Sequence, residues 1–161
     1  GLKDLNNQSI IRKGTDLVDN FMYLDSYKAK KLSIPCFSRD FFEDRIASDY
    51  YNMVLAVDNG SRLPLSSIIY TRNKELATFH YNSSTDDAKK RFINKSLLYT
   101  AMQEARMSGA RYFVLGNGYD GVSSSVTRFK RSLSTNETPC GLYMIPLSLK
   151  GKLGLMLKIL N

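Results

Sequence analysis

The sequence predicts an α+β domain, a mixed and largely antiparallel sheet flanked by helices. Two observations carry this. Apolar residues recur at helical spacing over two early segments, then give way to three short apolar runs divided by turn residues, after which helix and strand patterns alternate. The composition is globular, with 43% hydrophobic and 24% charged residues in a 161-residue chain. That length makes one ordinary domain, long enough to bury a core without disulfide staples. Residues 1–161 are therefore read as a single domain, with 1–16 a short extension.

The elements follow in order. Ser9-Ile10-Ile11-Arg12 suits a short strand. Leu17, Phe21, Leu24 and Tyr27 mark a helix over 16–31, with Asp16 as its cap and Lys28, Lys30 and Lys31 at its negative pole. Pro35 breaks the chain, and Ser38 caps a second helix carrying Phe41, Phe42 and Ile46. Met53 to Val57 reads as a buried strand. Asp58-Asn59-Gly60 reads as a tight hairpin turn, since Asn-Gly accepts positive φ. Leu63 to Tyr70 returns, Arg72-Asn73-Lys74 turns again, and Leu76 to Tyr81 is a third strand. In that strand, strict alternation puts Ala77, Phe79 and Tyr81 on one face and Thr78, His80 and Asn82 on the other.

A polar stretch from Asn82 to Arg91 precedes the most regular helix, about Asn94 to Ser108, striped by Leu97, Leu98, Ala101, Met102 and Ala105. Gly109 stands where a left-handed cap belongs. Arg111 to Leu115 is a strand that ends in Gly116-Asn117-Gly118. Val122, Val126, Phe129 and Leu133 mark a further helix, residues 140–147 a last strand, and 151–160 a basic helix.

Charge and rare residues narrow the chemistry. The formal net charge of +8 favours a polyanionic partner: nucleic acid, a phosphorylated cofactor, an acidic carrier protein or an anionic membrane. Cys36 and Cys140 form no metal or disulfide pattern and read as free, buried thiols. One histidine and two scattered cysteines argue against a structural zinc site. No apolar run reaches the length of a membrane span and Gly1 to Asn7 holds no apolar leader, so a cytoplasmic protein with no transmembrane segment is expected.

Four places can carry chemistry. Lys89, Lys90, Arg91 and Lys95 surround Asn94 at a predicted helix N-terminus, where free amides and the helix dipole attract phosphate. The same residues also suit a solvated basic turn, and Phe92-Ile93-Asn94 lacks a glycine to let a phosphate approach the backbone. Gly116, Gly118, Tyr119 and Asp120 follow a strand end, where ligands collect. There Tyr119 suits a general acid and Asp120 a base, although Asp120 equally suits a helix cap. Lys130 lies beside an apolar stripe and can stabilise an oxyanion or bind phosphate, or be one surface cation among Arg128 and Arg131. His80 can be a base, or a structural histidine.

Leu97-Leu98-Tyr99, the run Gly109-Ala110-Arg111-Tyr112-Phe113-Val114-Leu115-Gly116, and Phe129-Lys130-Arg131 together resemble the GNAT acyltransferases, specifically their FemAB-like branch, over about residues 17–149. The resemblance implies a GNAT-like fold and N-acyl transfer from acyl-CoA, acyl-carrier protein or aminoacyl-tRNA to an amine. Acyl-CoA would be a co-substrate, with no tightly bound cofactor. It implies that the turn with Lys90, Arg91, Asn94 and Lys95 cradles the donor's phosphates, and that Lys130 meets negative charge at the active site; Gly116 and Gly118, at the strand end, are donor-binding candidates by position. Fem enzymes carry two such domains and this chain has length for one. A homo-oligomer or a partner half is therefore compatible with it. The competing expectations are a catalytically silent GNAT-like module that binds RNA or an acidic partner, and a membrane-surface protein anchored by Lys150 to Leu160.

Overall fold

The computed structural model describes residues 8–11, 16–116 and 125–136. The chain falls into two compact units, Gly1–Gly116 and Asn117–Asn161. The first contains β1 (Gln8–Ile11), α1 (Leu17–Leu32), α2 (Arg39–Ala47), β2 (Tyr51–Asp58), β3 (Pro64–Asn73), β4 (Leu76–Ser84), α3 (Asp86–Lys90), α4 (Ile93–Met107) and β5 (Tyr112–Val114). The second contains α5 (Ser125–Arg131). The proposed strand at 140–147 and helix at 151–160 lie outside the described residues.

The five strands lie in chain order, the first four antiparallel and β5 parallel to β4. Only the parallel pair needs a crossover, and α3 and α4 supply it. The sheet is covered on both faces. Met53, Leu55, Val57, Ile69 and Tyr81 pack against Leu17, Val18, Phe21 and Leu24 of α1 and Phe42 of α2. The pleat turns Val54, Ala56 and Ile68 the other way, toward α4, where Leu97, Leu98, Ala101 and Ala105 are buried. Each fully buried large side chain, such as Phe21, Phe42 or Leu97, contributes about 1.5–3 kcal/mol.

Local chemistry explains most boundaries. The Ser38 side chain accepts from the Phe41 amide at 3.3 Å and starts α2. After α4, Gly109 takes φ 96°, and Ala110 N–H bonds to the Ala105 carbonyl. Four expectations are corrected. Asp16 makes no side-chain cap; it already has helical dihedrals, so its carboxylate does not fold back over α1. The Asn59-Gly60 turn is a wider loop. The Asp58 carboxylate gathers the amides of Gly60 and Ser61 and the Ser61 hydroxyl, and the positive φ falls on Arg62. The polar stretch after Tyr81 is structured: β4 continues to Ser84, then Thr85 caps α3 by accepting from the Ala88 amide. Cys36 is exposed rather than buried, because Pro35 and the loop carry it off the end of α1; Cys140 lies outside the described residues.

Candidate functional site

The site begins with a break in strand pairing. β5 pairs with β4 only over Leu76–Thr78 and Tyr112–Val114. Beyond that, β4 runs on for six residues, while the chain after β5 turns at Gly116 with φ 76°. Past Thr78, the β5-side edge of β4 therefore has no strand partner among the described residues. Unpaired edge groups bind extended ligands.

A β-bulge sits at the start of that edge. Ile69 pairs with Tyr81 and Tyr70 with Phe79, which leaves His80 without a ladder partner. An extra residue bends a strand, increases its twist and leaves its backbone groups unused. It also corrects the expected alternation. Ala77 and Phe79 share one face, but Tyr81 moves to the α1–α2 face and joins His80 there. No periodic reading of the strand can give this, since the bulge shifts the period by one.

The helix N-terminus lies at the same end of the sheet. Because β4 and β5 are parallel, α4 must run back from the end of β4 to the start of β5, so its N-terminus faces the end where the strands separate. The amides of Lys95 and Ser96 both bond to the Phe92 carbonyl, and no acidic residue occupies the first turn. Among the described residues, the amides of Ile93 and Asn94 have no partner outside the helix, and as its first two residues they have none within it. Where a glycine is missing, Phe92 itself takes the left-handed conformation, φ 57°, with its ring 61% exposed.

The surrounding cations divide into two groups. Arg91 pairs with Asp87 at 3.0 Å and Lys89 lies 3.9 Å from Asp86. Lys90 and Lys95 have no ion pair among the described residues. Lys28, on α1, is turned inward: Nζ donates to the Asn82 carbonyl at 3.2 Å and lies 4.5 Å from the Tyr81 ring centre. Burial pulls its amine below the ordinary lysine value, with Asp25 opposing and Lys89 reinforcing that shift.

On the α1–α2 face, a cavity of about 210 Å³ is lined by Phe37, Phe41, Arg45, Tyr51, Ile69, His80 and Tyr81. Asp25 is buried behind it, 3% exposed. Its two oxygens accept from the Tyr81 hydroxyl at 2.8 Å and the Phe37 amide at 2.7 Å, which seats the α1–α2 loop on β4. Burial and the Asp25 carboxylate hold the Tyr81 phenol protonated well above its ordinary range. Sequence reasoning missed this pair. The available signal was Asp25 itself, which stands four residues after Phe21 on the apolar stripe of α1, where an acid requires a partner.

Of the residues expected to act, the first unit holds His80 at the bulge, on the α1–α2 face, and Lys90, Arg91, Asn94 and Lys95 around the α4 entrance, with Gly116 following β5. The His80 ring is exposed, with Nε2 2.8 Å from Thr71 Oγ1. Gly118, Tyr119 and Asp120 lie outside the described residues. Lys130 is on α5 of the second unit, where burial lowers its pKa. Among the described residues there is no cluster of three or more His, Cys, Asp or Glu able to hold a metal, and no helix long and apolar enough to cross a membrane.

No protein-family model matches the chain, and no curated protein matches it by sequence. Solved structures do. One described as a probable acetyltransferase aligns at a TM-score of 0.71 with 17% identity, over 87% of this chain and 98% of that one. A ribosomal-protein-alanine N-acetyltransferase from Brucella melitensis aligns at 0.66 with 16% identity, over 88% and 99%. FemX aligns at 0.64 with 12% identity, over 77% of this chain and 48% of that one. The fold is that of the GNAT acetyltransferases, with a mixed, mostly antiparallel sheet between helices.

Proposed function

We propose that the protein is an N-acyltransferase that moves an acyl group from acyl-CoA, acyl-carrier protein or aminoacyl-tRNA to an amine. The observation that carries this is the separation of β4 from β5 at the His80 bulge, at the same end of the sheet as an uncapped α4 N-terminus. In this reading the Ile93 and Asn94 amides, with Lys90 and Lys95, hold the donor's phosphates. The acyl carbonyl lies along the open β4 edge, and backbone amide at the bulge stabilises the oxyanion. The amine nitrogen attacks the carbonyl carbon, the carbon–sulfur or carbon–oxygen ester bond breaks, and the proton lost by nitrogen passes to the leaving group.

The other roles extend the same reading. His80 takes the amine proton through solvent. Tyr119 protonates the leaving group, with Asp120 as an alternative base, both on their place after a strand end in the sequence, and Lys130 serves as a countercharge on the strength of the sequence resemblance. We read the two compact units as parts of one functional domain over residues 1–161, a reading supported by a solved structure that aligns over 88% of the chain. The exposed Cys36 thiol suits a reducing compartment, and on that ground we place the protein in the cytoplasm.

The test is calorimetry of acetyl-CoA, charged tRNA and acyl-carrier protein with the full chain, followed by acyl transfer to a panel of amines. Saturable binding of the thioester with turnover supports the reading. Salt-sensitive binding of charged tRNA alone points to a Fem-type aminoacyl transferase. Binding without transfer from any donor refutes it in favour of a silent binding module, a role consistent with Phe92 in place of a glycine.

A further inference from the structure

The cavity under α2 shares no lining residue with the phosphate contacts proposed above, and its chemistry is specific. Aromatic side chains make most of the lining. Phe37 stacks on Phe41 at 4.0 Å, and Tyr81 meets Phe37 edge-on at 5.8 Å. A cavity of about 150 Å³ holds benzene, so the roughly 210 Å³ here can admit a phenyl ring and its substituent. The one permanent charge in the lining is Arg45. Its guanidinium carbon lies 3.4 Å from the Phe41 ring centre and 5.0 Å from that of Tyr51, and Nη1 donates to the Phe41 carbonyl at 2.7 Å. A guanidinium has five N–H donors, and Arg45 has no carboxylate partner among the described residues. The faces of Phe41 and Tyr51 are thus already turned to a cation. A second cation would be repelled, whereas a carboxylate would meet unused donors in bidentate geometry.

We propose that this cavity binds an aromatic α-amino acid, free or at the end of a short peptide, with the ring among Phe37, Phe41 and Tyr51 and the carboxylate on Arg45. As the identity of the acyl acceptor, this rests on the acyltransferase reading. His80, the bulge residue, and its neighbour Tyr81 lie in the cavity wall, so an acceptor anchored at Arg45 has its amine on the side of the β4 bulge.

The probes are phenylalanine, 3-phenylpropionate and phenethylamine, titrated into the full chain without acyl donor and followed by NMR of the aromatic and backbone signals. Phenylalanine and phenylpropionate should bind saturably and shift His80 and Tyr81, with phenethylamine at least about tenfold weaker. Arg45→Met keeps the apolar stem and should weaken both acids about tenfold or more, with Arg45→Lys between; circular dichroism checks that each variant is folded. Equal binding of phenethylamine, unchanged affinity in a folded Arg45→Met, or no binding of any probe overturns the inference. The two readings fail separately. If the acids bind and no amine is acylated, the cavity assignment stands and the transferase reading falls. If acylation proceeds equally on amines without a carboxylate, the reverse holds.

Discussion

Replacing Asp25 by Ala tests whether one buried carboxylate holds the α1–α2 loop onto the sheet. Asp25 is 3% exposed and accepts two hydrogen bonds, from the Tyr81 hydroxyl at 2.8 Å and the Phe37 amide at 2.7 Å. Hydrogen bonds to a charged group contribute about 1.5–3 kcal/mol each. Removing the acid also removes its own desolvation cost, which offsets part of that loss. The expected net destabilisation is about 2–4 kcal/mol. Tyr81→Phe removes one donor and should cost about 1.5–3 kcal/mol, because the carboxylate stays buried with one partner fewer. The chain has no tryptophan, so urea unfolding is followed by far-UV circular dichroism. The decisive quantity is the coupling in the Asp25→Ala/Tyr81→Phe cycle, expected at about 1–2 kcal/mol because the singles share one bond. Additivity within about 0.5 kcal/mol would refute the reasoning, since independent sites behave that way.

Other expectations follow from single features. Phe92→Gly should stabilise the fold by a few tenths up to about 1 kcal/mol, because a left-handed L-residue costs about 1–2 kcal/mol and the exposed ring forfeits little burial; chemical denaturation measures it, and a loss above about 1 kcal/mol would show that the ring packs or that φ 57° is not held. Tyr81 has a raised folded pKa, so its contribution to stability is complete below the ordinary phenol value of 10.0 and is lost as pH rises above it. Lys28, with a lowered folded pKa, opposes this over the range just below the ordinary lysine value of 10.5. In a Lys28→Met background, therefore, alkaline denaturation should show a slope that Tyr81→Phe abolishes. Lys90→Ala and Lys95→Ala together should weaken donor binding about tenfold and flatten its salt dependence, read by calorimetry at two ionic strengths. Leu97→Ala, in the α4 face that covers β3, should cost about 2–5 kcal/mol through the cavity it leaves.

Much of this architecture is written in short-range pattern. The α1 stripe, the Ser38 cap, the α4 stripe and the Gly109 cap need only neighbouring residues, so helix periodicity and cap chemistry find them without tertiary information. The basic entrance to α4 is legible for the same reason, since Lys90, Asn94 and Lys95 lie within six residues of one helix start. The charge of +8 and the single histidine also belong to the sequence, and they limited the chemistry before any element was placed.

Tertiary structure alone decided where strands pair and where they stop. The His80 bulge arises from the register of β4 against β3, and the open edge arises from β5 ending at Val114 while β4 continues. Neither leaves a local mark, because pairing joins residues distant in sequence. The same holds for Asp25 and Tyr81, 56 positions apart, and for Arg45, which only the folding of α2 onto β2 and β4 brings beside Tyr51 and His80. Local sequence sets which segments become helices and strands, through backbone sterics and side-chain periodicity. Which backbone groups and charges are left free for a ligand is set by long-range packing, because a group is free only after every neighbour has taken its place.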